Sequence, residues 1–373
     1  MCKCQMEVEA LSKFEFKIFL GGNHMKHISY DCIKISAFSE GMAAIITNEG
    51  VGFINTNGEL VIPTVFEHVD HMTMTNTHYM FKEGLSSFVK GGKCGYIDKK
   101  GDIVISSEYD SASPFNEGIA AVSKEGKWGA IDKNGKVVIP IEYDFVQPSS
   151  EGVCGVFKDN RRGYIDILGN NVIPLNDKYD IVHPFKCETA VVMVGKWKIP
   201  TVERCANESD NDYLNRYRDE VEKITQNNFF GAINKKGELT IGLKYKFLSA
   251  FSEDLAAASI DGKKLYINTS GETVLDLSQY DLIGAFSEGL ACVKSDKKWG
   301  CIDKSGRLII PTEYDNMLMF ENQYAPISKD SKWGLIDKDG TIRLPNEYDF
   351  VSSVENGYAI VNKGDLWSIV SIK

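Results

Sequence analysis

One glycine position, recurring at a nearly fixed interval, constrains this chain more than any other feature. Gly52, Gly95, Gly129, Gly163, Gly231, Gly300 and Gly334 share one slot of a repeated unit, and Leu265 and Ser368 fill that slot in two weaker units. The steps between successive slots are 43, 34, 34, 68, 34, 35, 34 and 34 residues. Nine units of about 34 residues, with insertions where the step lengthens, fold as a solenoid, a propeller or an array.

Each unit carries three turn signals separated by short stretches in which apolar residues alternate, the period of strands. In one clear copy, Ile119-Ala120-Ala121-Val122, Lys127-Trp128-Gly129-Ala130-Ile131-Asp132 and Val137-Val138-Ile139 read as three strands. Asp132-Lys133-Asn134-Gly135 fits a type I turn ending in a glycine at positive φ. That glycine stands in all eight units that have the turn: Gly58, Gly101, Gly135, Gly169, Gly237, Gly271, Gly306 and Gly340. A second turn glycine (Gly41, Gly84, Gly118, Gly152, Gly289, Gly357) is replaced by Asp254 and Gln323, so the demand there is looser. Pro63, Pro140, Pro174, Pro311 and Pro345 close the third strand, where a residue without an N–H is confined to an end or an edge. The Tyr-Asp pair that follows reads as a short fourth strand or a crossing to the next unit. Glycines and prolines at this density would break both helices of a helix-pair repeat of similar length.

The aromatic of Tyr-Asp, the Phe before Glu-Gly, the Trp and the Ile before Asp are expected to form a core between units. One buried aromatic removes about 150 to 250 Å² from water, so a row of units folds where a single one does not.

The run Lys127-Trp128-Gly129-x-Ile131-Asp132-Lys133-x-Gly135-x-Val137-Val138-Ile139-Pro140, followed by Tyr143-Asp144, resembles the WG-repeat family of bacterial proteins. The resemblance covers roughly nine-tenths of the chain. It implies a β-rich interaction module and brings no catalytic residues with it. Leu265-Tyr266, Trp367-Ser368 and Trp197-Lys198 depart from the pattern.

Two all-β architectures fit: a β-propeller-like ring with units as blades, or an open superhelix of β-hairpins. The ends favour the ring. The last unit stops after Leu366-Trp367-Ser368-Ile369-Val370 without its third strand, while Phe14, Phe16, Ile18 and Leu20 share one face of a candidate strand near the start that would complete it. The division expected is an N-terminal segment over 1–29 and a repeat array over 30–373, with insertions near 64–79 and 197–229.

Composition limits the function. A formal charge of −10 argues against a phosphate-backbone groove, so no nucleic acid is expected. With 43% hydrophobic and 25% charged residues and no run of 18 apolar residues, the chain reads as soluble, with no membrane partner. The start lacks a basic segment followed by an apolar one, and nine cysteines at unrelated repeat positions do not look like a disulfide framework. Both point to a cytoplasmic protein with free thiols.

Carboxylates that recur in most units, such as Asp98, Asp132, Asp166, Asp303 and Asp337, or Asp110, Asp144, Asp180, Asp281, Asp315 and Asp349, read as turn residues that accept backbone N–H groups. His68, Asp70, His71 and His78 in the first insertion, and Cys2 and Cys4, match no metal-ligand spacing, and no metal or cofactor is expected. The insertion between Trp197 and Phe230 holds the clearest helical pattern, with Tyr213, Leu214, Tyr217, Val221 and Ile224 on one face. If that helix reaches outward, Tyr213, Arg216, Tyr217 and Arg218 are its candidate partner-binding residues. The expected function is a non-enzymatic scaffold that binds a protein or peptide. A carbohydrate-binding module using the repeated Tyr and Trp, or a propeller enzyme with acids from several blades, are the alternatives.

Overall fold

The structure is a computed structural model that describes residues 16–18, 24–28, 32–68, 79–195, 204, 213, 216, 217 and 227–372. These residues form nine small antiparallel sheets, seven of four strands, one of three and one of five, each built from strands adjacent in sequence except at the chain ends. Blade three is typical. Its strands are Ser111–Ala112, Ile119–Lys124, Lys127–Asp132 and Val137–Tyr143, paired in that order. Its second strand is buried along nearly its whole length and carries Ala120 and Ala121, while its fourth alternates between exposed and buried. Small residues where wedges converge and an exposed strand at the rim place the first strand toward the axis and the fourth outside.

Nine separate hydrophobic cores lie between neighbouring sheets. Phe115 and Val122 of blade three pack with Tyr96 and Ile105 of blade two, and Ile119, Ala130 and Ile139 pack with Cys154 and Ile165 of blade four. The ninth core joins Ile35, Ile45 and Ile54 of blade one to Ile360 and Ile369 of blade nine. An open stack of nine sheets would have eight such interfaces. The array is therefore a closed nine-bladed β-propeller, and the open superhelix is excluded.

Closure uses both ends of the chain, though not with the strand expected. His24–His27 supplies the outer strand of blade nine, pairing Met25 with Val370 and His27 with Ser368. Phe16–Ile18 pairs on the far side of it as a fifth strand, with Phe14 and Leu20 outside the described residues. The outer strands also run through their prolines: Val137–Tyr143 includes Pro140 and Tyr143, tolerable because the strand is an edge. The Tyr-Asp pair ends one blade, and the two-residue strand after it, such as Phe145–Val146, opens the next.

The glycine of the repeated slot has a steric cause. Between the third and fourth strands the register shifts around it, between Trp128 and Ala130 in blade three. At this bulge the backbones approach so closely that a Cβ on Gly129 would lie 2.5 Å from the Ile139 carbonyl oxygen, and Gly95, Gly163, Gly231 and Gly334 face the same contact. The two units without the glycine lack the shift. In blade nine Ser368 to Ser371 pair without interruption with His27 to His24, and in blade six Leu265 and Tyr266 pair directly with Asp276 and Leu275.

The expected helical insertion is not borne out. No helix has described bounds: among the described residues Tyr213, Arg216 and Tyr217 alone are helical, and apart from them and Arg204 the segment 196–226 lies outside the described residues, Trp197 and Lys198 included.

Candidate binding face at blades three to six

The repeated carboxylates are occupied in holding the ring. Asp132 Oδ1 accepts the amides of Asn134 and Lys136, both at 2.9 Å, and shapes its own turn. Asp144, between blades three and four, accepts the amide of Asp159 at 2.8 Å and a bond from Lys127 Nζ at 2.7 Å, clipping the hairpin of one blade to the strand of the other. Asp110, Asp315 and Asp349 do the same with Lys93, Lys298 and Lys332. The ammonium beside each of these four aspartates holds its carboxyl below the usual range. On the opposite face the Glu of Phe-x-Glu-Gly reaches into the next blade's turn: Glu83 to Gly118 N, Glu117 to Gly152 N, and Glu253 to Gly289 N, at 3.0 to 3.1 Å. Side chains engaged in this way in unit after unit are committed to architecture. Distinct chemistry must be sought where the units differ.

Blade four differs most. Arg162 stands in the slot that holds Trp128, Trp299, Trp333 and Trp367 elsewhere. From Gly163 to Tyr179 is 16 positions, against 14 from Gly129 to Tyr143, so two residues are added around Asp177 and Lys178, just after the outer strand Asn171–Asn176. Between this strand and blade five lies a cavity of about 60 Å³, lined among others by Arg162, Asn176, Lys178, Tyr179, Val182 and Ile233.

Half-exposed aromatics lead to it. Trp128 meets Phe145 edge-on with ring centroids 5.3 Å apart, Phe145 lies 5.9 Å from Phe157, and the Arg162 guanidinium sits 5.9 Å from the Phe157 ring. Phe145 is 41% exposed. At the equivalent place in blade six Phe247 is 50% exposed, and Phe229 in blade five carries Lys246 Nζ 3.9 Å from its ring. These residues share the face that bears the second-to-third-strand hairpins, and the insertion after Gly195 leaves from one of those hairpins.

Of the residues proposed from sequence, Tyr213 and Tyr217 are half-buried with their rings 6.3 Å apart, Arg204 lies 5.7 Å from the Tyr213 ring, and Arg216 is exposed. Arg218 lies outside the described residues, as do Asp70, His71, His78, Cys2 and Cys4, while His68 is exposed. Among the described residues no group of three His, Cys, Asp or Glu side chains is placed to hold a metal ion.

A profile of the family described as WG containing repeat matches residues 52–73, 95–128, 128–161, 163–196, 230–263, 266–299, 299–333 and 333–367. This chain belongs to the WG-repeat family. No curated protein matches the WG-repeat array. Among solved structures, one described as a crystal structure of the eukaryotic initiation factor aligns over 88% of this chain and 89% of that one, with a TM-score of 0.56 at 10% identity, a likeness of fold. The WD40 domain of SCAP from fission yeast aligns over 96% and 98% at 10% identity with a TM-score of 0.38, and the Neurospora crassa Pan2 WD40 domain over 92% and 89% at 10% identity with a TM-score of 0.34.

The signal for blade four was present in the sequence, in the 16-residue spacing and in the arginine at a tryptophan slot. Neither was among the departures singled out from the sequence, and the spacing alone does not show that an extra pair of residues borders a cavity.

Proposed function

We propose that this WG-repeat propeller is a non-enzymatic scaffold that holds a protein or peptide partner on the hairpin face of blades three to six. The observation that supports this reading is the pairing of exposed rings with cations there: Phe145 and Phe247 stand open to solvent, and Arg162 and Lys178 have no carboxylate partner among the described residues. Apolar anchors flanked by cations suit a partner segment that alternates apolar and acidic side chains, because aromatic and arginine side chains dominate interface energies. The enzyme reading has less support, since the recurring acids are engaged in turns and blade contacts. The sugar reading loses motivation because Trp128 stands edge-on to Phe145 and Trp367 packs at a tilt against Phe350, so neither ring stands alone in solvent.

Affinity capture from the native lysate compares the intact chain, the Phe145→Ser/Phe247→Ser variant, and a chain lacking Glu203 to Gln226. The reading expects a partner that the double variant loses while its melting is unchanged. A partner kept by the double variant and lost with the deletion moves the binding element to the insertion, and no partner in any arm overturns the scaffold reading.

A further inference from the structure

The cavity between blades four and five has the chemistry of an anion site. Its polar lining side chains are Arg162, Asn176, Lys178, Tyr164 and Tyr179, with no carboxylate among the lining residues. Tyr179 is 4% exposed, and its hydroxyl is buried without a hydrogen-bond partner; Arg162 Nε is likewise buried and unpartnered. In the next blade the equivalent tyrosine, Tyr245, donates to the Gly271 carbonyl at 3.4 Å, and the hydroxyl of Tyr348 in blade eight is, like that of Tyr179, buried without a partner; among the described residues, only in blade four does a buried cationic nitrogen, Arg162 Nε, stand unpartnered beside the same cavity. A buried donor left unmade costs about 1 to 3 kcal/mol, and two such donors beside one cavity, in a protein of formal charge −10, are held together for a reason. Tyr164 Oη donates to the His183 carbonyl at 2.7 Å and accepts from neither Tyr179 Oη nor Arg162 Nε.

We infer that this cavity binds a small oxyanion, a carboxylate or phosphate group, with Tyr179 Oη and Arg162 Nε as donors and the Lys178 ammonium as the added positive charge. A cavity of about 60 Å³ exceeds the roughly 10 to 15 Å³ that one water needs and leaves room for such a group. Hydrogen bonds from a guanidinium and a phenol to an ionised oxygen are charge-assisted and stronger than neutral ones. The inference deepens the scaffold reading by naming the chemistry of one anchor, an acidic or phosphorylated side chain of the partner. It also holds for a free anion, which keeps its test separate from that of the partner.

The test is thermal unfolding of the full chain titrated with inorganic phosphate, with acetate, and with sodium chloride at matched ionic strength. A bound anion raises the midpoint with the logarithm of its concentration above Kd. Phosphate, acetate or both are expected to do so while chloride does not, and whichever acts names the group the cavity takes. Tyr179→Phe is expected to fold as well as the parent, having lost a group with no partner, and to weaken the anion by about tenfold or more, the worth of one hydrogen bond to a charge. Arg162→Trp, which restores the residue used by four other blades, is expected to fill the cavity and abolish the shift. A shift from neither anion, or one that survives in Tyr179→Phe and Arg162→Trp, overturns the site. Either of those results leaves capture of a partner by Phe145 and Phe247 untouched.

Discussion

The carboxylate of Glu117, in the turn of blade three, accepts the backbone N–H of Gly152 in blade four at 3.0 Å. Glu117 itself sits at φ 52°, a conformation few L residues adopt, and that geometry carries its side chain across the gap between sheets. Neighbouring hydroxyls reinforce the join: Ser150 Oγ donates to the Phe185 carbonyl at 2.7 Å and Ser252 Oγ to that of Phe286 at 2.7 Å. The turn that carries Glu-Gly, Phe-x-Glu-Gly in most units, is thus a connector between blades as well as a turn within one.

Glu253 makes this connection with both oxygens, reaching Gly289 N at 3.0 and 3.1 Å, and also pairs with Lys304 Nζ at 3.0 Å. Glu253→Ala is expected to lower stability by about 1 kcal/mol, because the Gly289 amide regains only water and the lysine pair is partly screened. Urea unfolding of the two proteins side by side measures it. An unchanged midpoint would mean that the apolar cores alone hold blades six and seven together.

Acid should loosen the ring in a narrow range. Burial raises the pKa of Glu253 and Glu40, but the Lys304 and Lys99 ammonium groups and the turn amides outweigh it and leave both carboxyls below their ordinary value. An acid whose folded pKa is depressed contributes stability that is complete above its unfolded pKa, about 4.3 for glutamate, and is lost as pH falls through the folded value. The melting midpoint is expected to hold flat from pH 7 to about 5 and to fall below about 4, with a smaller fall in Glu253→Ala than in the parent.

Two glycines of one unit are needed for different reasons, and substitution separates them. A Cβ on Gly129 meets the Ile139 carbonyl oxygen at 2.5 Å, so Gly129→Ala must open the bulge and is expected to cost about 3 kcal/mol or more. Gly118 has φ +84° and nothing within 4 Å of its Cβ position, so Gly118→Asn bears only the conformational cost, about 1 kcal/mol. Asp254 and Gln323 occupy the equivalent position at φ 68° and 75°. Denaturation midpoints in the reverse order would remove the steric account of the repeated slot.

Those same glycines show what the sequence could and could not tell. Gly135 and its counterparts announced a turn, and the strands flanking it followed from period-2 alternation. The bulge was invisible because Gly129 looks like any strand glycine until the Ile139 carbonyl is placed against it. The ring was legible only as a mismatch between ends, and the strand that completes it, His24–His27, has too little apolar character to stand out beside Phe16 and Ile18. At the candidate site Arg162 and the longer spacing to Tyr179 could be read off directly. That they border a cavity depended on how blade five packs against the outer strand, a non-local fact.

Burial should decide which thiols react. Cys94 and Cys154 lie in inter-blade cores, where burial pushes their thiols up to about 11 and about 12, so at pH 8 almost no thiolate is present. Native protein treated with iodoacetamide at pH 8 and analysed by mass spectrometry is expected to leave both unmodified, and urea-unfolded protein to modify both. Rapid native labelling of Cys154 would indicate that the blade three and four interface opens on the timescale of the reaction.

Among the described residues, the ring depends on residues far apart in sequence at blade nine and at its contact with blade one. His24–His27 covers the edge of Leu366–Ser371, and Met25 packs with Val351, Val361 and Val370. Without it, the strand Leu366-Trp367-Ser368-Ile369-Val370-Ser371 would present an unpaired apolar edge, the kind that recruits other chains. A chain lacking residues 1–27 is therefore expected to melt at lower temperature and to scatter light increasingly with concentration. A synthetic peptide of residues 16–28 added in trans should restore the midpoint, because strand addition to an open edge needs only the backbone ladder and the Met25 side chain. Met25→Asp in that peptide should prevent rescue, since the carboxylate would enter the apolar core. If the truncated chain melts as the parent does, the other eight blades and the three remaining strands of the ninth hold the ring closed without the N-terminal strand.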